Sequence, residues 1–189
     1  MVLAKPCLFS ENSDMTDRIS QAHRRWIMSR VRSRNTKPEI MVRMLLHRMG
    51  YRFTVRGPRN RALPGRPDIV LPKYRAAVFV HGCFWHRHAG CPSATMPSTR
   101  SDYWRKKFET NVARDQRNRR ELMRLGWRVR AVWECDVYRH PDRVGRRLDA
   151  WLNPRRPFRY EPLPDRKSLY KLAEARADYT KLSRPAPSG

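Results

Sequence analysis

Acidic residues are scarce in this chain, and so are cysteines and long apolar runs. Seventeen Asp and Glu stand against 42 Lys and Arg, a net charge of +25 over 189 residues. A surface that positive attracts a polyanion, with DNA or RNA first and an acidic membrane surface a distant second. No apolar run reaches the roughly 18 residues that a membrane-spanning helix needs. Met1-Val2-Leu3-Ala4-Lys5 is not followed by the apolar core of a signal peptide, so the expected location is cytoplasmic. Cysteine occurs four times, as Cys7, Cys83, Cys91 and Cys135. In the cytoplasm these are not expected to form disulfides, and a Cys near a His reads better as a metal ligand. Internal repeats are absent as well.

The length is sufficient for one domain with a core and some extra chain at its ends. Residues 1–16 are polar and irregular and are expected to be flexible. Residues 154–189 are basic and Pro-rich, with one weak helix near 168–179, and are expected to be largely disordered. Between them, 17–153 reads as a mixed α/β domain. A basic helix is expected over 18–34, with Ile19, Ala22, Trp26, Ile27 and Val31 as its apolar stripe. Thr36-Lys37-Pro38-Glu39 fits a capping box that opens a second helix, which Gly50 ends. Tyr51 to Arg56 alternates like a strand, and residues 57–65 read as a loop. Asp68–Leu71 and Ala76–Val80 suggest a hairpin. A long helix over 100–125 ends before Gly126. A strand over 127–133 and a closing helix over 141–152 complete the domain.

The densest chemistry lies in Val80-His81-Gly82-Cys83-Phe84-Trp85-His86-Arg87-His88-Ala89-Gly90-Cys91. Cys83, His88 and Cys91 are ligand types that zinc favours, and Cys135, at the end of a strand that can run beside 76–80, offers a fourth. The alternative is two buried thiols and a surface histidine. Pro67-Asp68 opens a strand, as does the Mg²⁺-binding Asp of many nucleases, although Asp there is also a common turn residue. The next strand carries neither the second acid nor the Lys of such sites. His86 can stand in for that Lys, since a neutral imidazole can take a proton from an attacking water. Asp115 can orient it, or can be a solvated charge among Arg114, Arg117 and Arg119. Phe84-Trp85, with Trp104, can wedge between base steps or can be core aromatics.

Together these residues resemble the very short patch repair (Vsr) DNA mismatch endonucleases. The resemblance is carried by Asn35-Thr36-Lys37-Pro38-Glu39, Leu63-Pro64-Gly65-Arg66-Pro67-Asp68, His81-Gly82-Cys83-Phe84-Trp85-His86, Asn111-Val112-Ala113-Arg114-Asp115 and the run from Gly126 to Cys135. It spans residues 17–153 and implies a restriction-endonuclease-like α/β domain with a central mixed sheet flanked by helices. It also implies Mg²⁺-dependent hydrolysis of one DNA strand 5′ to the T of a T·G mismatch; because such a mismatch has no two-fold symmetry a monomer is expected, nucleoid-associated, with repair proteins as candidate partners. Carried over by position, Asp68 and the Val80 carbonyl bind Mg²⁺, and His86 activates water. Asp115 pairs with His86, and His81 and Glu39 assist at the phosphate. Phe84, Trp85 and Trp104 form the intercalating wedge, and Cys83, His88, Cys91 and Cys135 hold structural zinc. Two departures from the family pattern stand out: Val80 replaces a Thr, and the His88–Cys91 spacing is one residue longer than in some members. The competing expectations are a zinc-stapled DNA-binding module without catalysis and a less selective restriction-type nuclease.

Overall fold

The computed structural model describes residues 34–154, with Ser20, Ala22, His23 and Trp26 before them and Lys167, Tyr170, Lys171, Ala173, Glu174 and Ala175 after them. The flexible start expected over 1–16 and most of the helix expected over 18–34 lie outside the described residues. Ala22, His23 and Trp26 are helical and exposed. Helix α1 (Lys37–Arg48) begins as the capping box requires. Thr36 accepts from the Glu39 amide, and the Glu39 carboxylate accepts from the Thr36 amide. These bonds satisfy amides that would otherwise be left open at the helix start. Ile40, Met41, Val42, Leu45 and Leu46 are buried along its inner side.

The expected strand over 51–56 does not form. Only Thr54 pairs, as an isolated antiparallel bridge to Val70. The following loop contains a short helix, α2 (Pro58–Ala62). Strands β1 (Ile69–Leu71) and β2 (Ala76–His81) form the expected antiparallel hairpin, joined by a 3-10 turn at Pro72–Tyr74. Helix α3 (Ser101–Arg124) crosses to β3 (Arg128–Trp133), which pairs parallel to β2. Gly126, at φ +75°, makes the reversal between them in a conformation that side chains with a Cβ rarely adopt. Helices α4 (Glu134–Arg139) and α5 (Pro141–Leu152) close the order, and α4 was not expected.

The result is a three-stranded mixed sheet with helices on both faces. Strand parity decides which residues go where. Ile69, Leu71, Ala76, Val78 and Val132 join Met41, Leu45, Val137, Val144 and Leu148 in one core. Intervening Val70 and Ala77 are also fully buried but lie outside that cluster, on the other side of the sheet. On the core side Arg128 and Arg130 lie over the Trp151 ring of α5. Beyond residue 153, Ala173 is fully buried in the same core, Tyr170 stacks on Tyr138, and Glu174 pairs with Lys37 at 2.5 Å. Among the described residues no helix is long and apolar enough to cross a membrane.

Candidate active site and metal centre

The parallel pairing of β2 and β3 builds the site. It sets His81 opposite Trp133, so the loop after β2 and the helix after β3 leave the sheet side by side. Cys83 and Cys135 lie in these two segments. With His88 and Cys91 they place four donor atoms, three sulfurs and one imidazole nitrogen, within 4.8 Å of one another. Cys135 Sγ and Cys83 Sγ lie 3.3 and 3.5 Å from His88 Nδ1. Trp133 stacks on the His88 ring at 4.1 Å and holds its plane. Glu134 accepts a 2.8 Å hydrogen bond from the Cys83 amide, tying the two segments at the backbone. Burial pushes the Cys83 thiol up to about 12 and raises the Cys135 thiol, so both stay protonated at neutral pH without a cation. A bound cation reverses this, because coordination removes the thiol proton. The donor set is soft, convergent and four in number, which fits a closed tetrahedral cation site.

Beside this cluster lies a second one. His86 Nδ1 is 2.5 Å from Asp115 Oδ2, and the His86 ring stacks on His81 at 3.9 Å with 9° between planes. With Nδ1–H donating to Asp115, Nε2 of His86 keeps its lone pair. Burial first, and then the neighbouring His86 ring, depress His81 to about 4, so His81 is neutral at physiological pH. Burial raises the Asp115 carboxyl, but its hydrogen bond to His86 and the positive groups around it outweigh that and hold it below the ordinary value.

Asp68 stands immediately before β1, and its Oδ2 accepts a 2.8 Å hydrogen bond from the Val80 amide on β2. The structure thus brings the Val80 backbone to Asp68, through its N–H. Burial first, then the Glu39 carboxylate, raise Asp68 to about 6, against the opposing Val80 amide, Arg43 and His86. Glu39 is itself buried and accepts from the Asn35 and Thr36 amides, the Thr36 hydroxyl and Arg43, the last at 2.7 Å. The two carboxylates are therefore close neighbours on different elements. Arg43, unremarked in the sequence, is the cation that offsets them.

Phe84, Trp85 and Trp104 come together as expected, at ring separations of 5.1 to 6.0 Å. All three are partly exposed, and buried Phe108 lies beneath Phe84 at 5.1 Å. One stripe of α3 serves both the aromatic cluster and the histidine stack. At alternating spacings of four and three it presents Trp104, Phe108, Asn111, Asp115, Asn118 and Leu122. Asn111 is buried and donates to the Trp85 carbonyl at 3.1 Å, holding the loop that carries Phe84 and Trp85. Sequence reading missed Asn111 and Glu134. Both sit inside runs that were singled out, but neither spacing nor composition marks a side chain whose partner is a backbone group far along the chain.

Clustered histidines, the neighbouring Glu39 and Asp68 carboxylates and partly exposed aromatics on so basic a domain suit an enzyme that hydrolyses DNA. Comparison with known proteins agrees. Residues 16–91 match the family described as DNA mismatch endonuclease Vsr. The type II nicking enzyme V.XorIIP of Xanthomonas oryzae is 53% identical over 123 residues, 65% of this chain and 88% of that protein. The type II nicking enzyme V.NmeAIP of Neisseria meningitidis is 40% identical over 123 residues, 65% of this chain and 85% of that protein. The DNA mismatch endonuclease Vsr of Escherichia coli is 38% identical over 142 residues, 73% of this chain and 88% of that protein. The chain is a DNA endonuclease. It belongs to the Vsr family of mismatch-directed enzymes.

The raised Asp68 pKa has a consequence for stability. Between its ordinary value of 3.8 and about 6 the folded state binds more protons at Asp68 than the unfolded state does. The stability this contributes is present below pH 4 and is lost as pH rises through 6. In protein stripped with chelator, Asp68→Asn is therefore expected to be more stable than the parent at pH 8, by on the order of 2 kcal/mol. The gap should close by pH 4. Denaturant melts at the two pH values measure it, and equal stability at pH 8 would contradict the burial of this carboxylate.

Proposed function

We propose that the enzyme nicks one strand of duplex DNA 5′ to the T of a T·G mismatch, the product of 5-methylcytosine deamination, and so starts very short patch repair. The observation that carries this reading is the His81–His86–Asp115 stack set beside Asp68 and next to an aromatic cluster. The restriction-endonuclease-like fold is part of the same reading, supported by a mixed sheet that presents Asp68 at the start of one strand and His81 at the end of the next.

Asp68 and the Val80 carbonyl would hold Mg²⁺, a hard cation suited to a carboxylate and a carbonyl together with water. When bound, it supplies Lewis-acid polarisation of the scissile phosphate. His86 Nε2 takes a proton from the attacking water as the water oxygen bonds to phosphorus and the P–O bond to the neighbouring nucleotide breaks. Asp115 holds the Nδ1 proton, which fixes the tautomer and stabilises the imidazolium that forms. His81 stacks on that ring and limits its rotation. Glu39 is anchored by Arg43 and the cap amides next to Asp68. The half-exposed rings of Phe84, Trp85 and Trp104 enter the stack beside the mismatch, where a poorly paired step costs least to open. The sulfur-rich cluster of Cys83, His88, Cys91 and Cys135 would take Zn²⁺ as a structural staple. A T·G mismatch has no two-fold symmetry, which suits a monomer. The basic surface suits the phosphate backbone.

Labelled duplexes that differ only in T·G or T·A at one position test the substrate. With Mg²⁺, the mismatched duplex should be nicked 5′ to the T and the matched duplex left whole; equal cleavage of both would refute mismatch selectivity. Elemental analysis tests the staple. About one zinc per chain is expected, and Cys135→Ser should lower both the zinc content and the thermal midpoint. Native protein without zinc would show that the loop is held in another way.

A further inference from the structure

The segment between Thr54 and Asp68 is not absorbed by the chemistry above, and it is built with unusual care for an exposed loop. Asn60 is 1% exposed although it sits among arginines. Its side chain makes three hydrogen bonds. Oδ1 accepts from the Thr54 hydroxyl at 2.8 Å, and Nδ2 donates to the Thr54 carbonyl at 3.0 Å and the Pro67 carbonyl at 3.1 Å. Thr54 is in turn bridged to Val70 of β1. The loop is thus tied to the sheet on one side and to the residue before Asp68 on the other. At its far end Gly65, at φ +71°, lies so near α3 that a Cβ there would meet Asn118 Nδ2 at 2.7 Å. The backbone between these anchors is held, and Arg59, Arg61 and Arg66 are exposed along it. None of the three pairs with a carboxylate among the described residues.

Helix α3 fixes where this loop stands. Trp104 of the aromatic cluster, Asp115 of the histidine stack and Asn118 against Gly65 follow one another on one stripe. At about 1.5 Å per residue, Trp104 and Asn118 are about 21 Å apart along the axis, with Asp115 close to the Asn118 end. That is the length of about six base pairs. The arginine loop therefore flanks the reaction centre on the side away from the wedge.

We propose that residues 57–66 form a preorganised phosphate clamp, in which Arg59, Arg61 and Arg66 grip the DNA backbone across the scissile position from the aromatic wedge. The inference rests on the nuclease reading and adds where the second grip on the duplex lies. Because Asn60 and Gly65 hold the backbone before DNA arrives, little loop entropy is lost on binding, and the three cations act at fixed spacing.

The salt dependence of duplex binding tests it. Each phosphate contact contributes about −0.9 to the slope of log K against log salt. Arg59→Gln/Arg61→Gln should make the slope shallower by about 1.8 and weaken binding at low salt. Arg146→Gln/Arg147→Gln, which removes the same charge from an exposed part of α5, should leave the slope unchanged. Asn60→Ala keeps every arginine but frees the loop. It should weaken binding with a smaller change of slope, and circular dichroism will show whether it folds. Equal slope changes in the two arginine pairs, or none in the loop pair, would overturn the clamp. If the loop pair alone changes the slope while the parent protein fails to discriminate T·G from T·A, the clamp stands and the mismatch reading fails.

Discussion

The parallel pairing of β2 with β3 is the constraint on which the rest of the site depends. Pairing Val80 with Val132 and His81 with Trp133 forces two segments more than 40 residues apart to leave the sheet together. Cys135 then meets Cys83, His88 and Cys91, Glu134 reaches the Cys83 amide, and Trp133 lies flat on His88. A slip of one residue would turn these side chains to the opposite face of the sheet and open both clusters. Parallel strands need a long crossover between them. Here that crossover is α3, which carries Asp115 and the floor of the aromatic cluster, so the connection that the topology requires also completes the site.

Electrostatics add a second constraint. Glu39 is buried, Asp68 is partly buried beside it, and Arg43 lies with them, bonded to Glu39 and to the Asn35 side chain. Two carboxylates held close together away from bulk water disfavour folding in the ionised form unless a cation offsets them. The capping box therefore has two roles. It starts α1, and it holds the Glu39 charge at a fixed place beside Asp68. The stacked histidines follow similar logic: a neutral His81 against His86 leaves one imidazole free to take up a proton without a cation pressed on its face.

Much of this was legible in the residues because local rules govern it. Thr36 and Glu39 mark a helix start at any helix, Gly126 marks a reversal, and the apolar runs on either side of Pro72 mark a hairpin. The four zinc-type donors and the His86–Asp115 pair were legible from residue type and spacing together with family resemblance. Other features were not. Tyr51 to Arg56 has strand alternation, but only Thr54 finds a partner, since β1 is three residues long and its other edge is taken by β2. The inner stripe of α3 has three polar residues, Asn111, Asp115 and Asn118, between its apolar ends, so apolar periodicity does not mark its inner face, while apolar Tyr103 and Leu125 are exposed. Asn60, Asn111 and Glu134 act through backbone partners that the folded chain brings to them, and Arg43, although its partner Glu39 is one helical turn away, matters only because the fold sets Asp68 beside that pair.

In the proposed chemistry Asp115 acts through His86, the two forming one proton-handling unit mounted on α3 and the β2 loop. A double-mutant cycle on single-turnover nicking tests it most directly, with His86→Gln, Asp115→Asn and the double variant compared at one pH and saturating Mg²⁺. Each single change should slow the chemical step, and the double variant should be no slower than His86→Gln alone. Losses that multiply in the double variant would show two independent roles and contradict it.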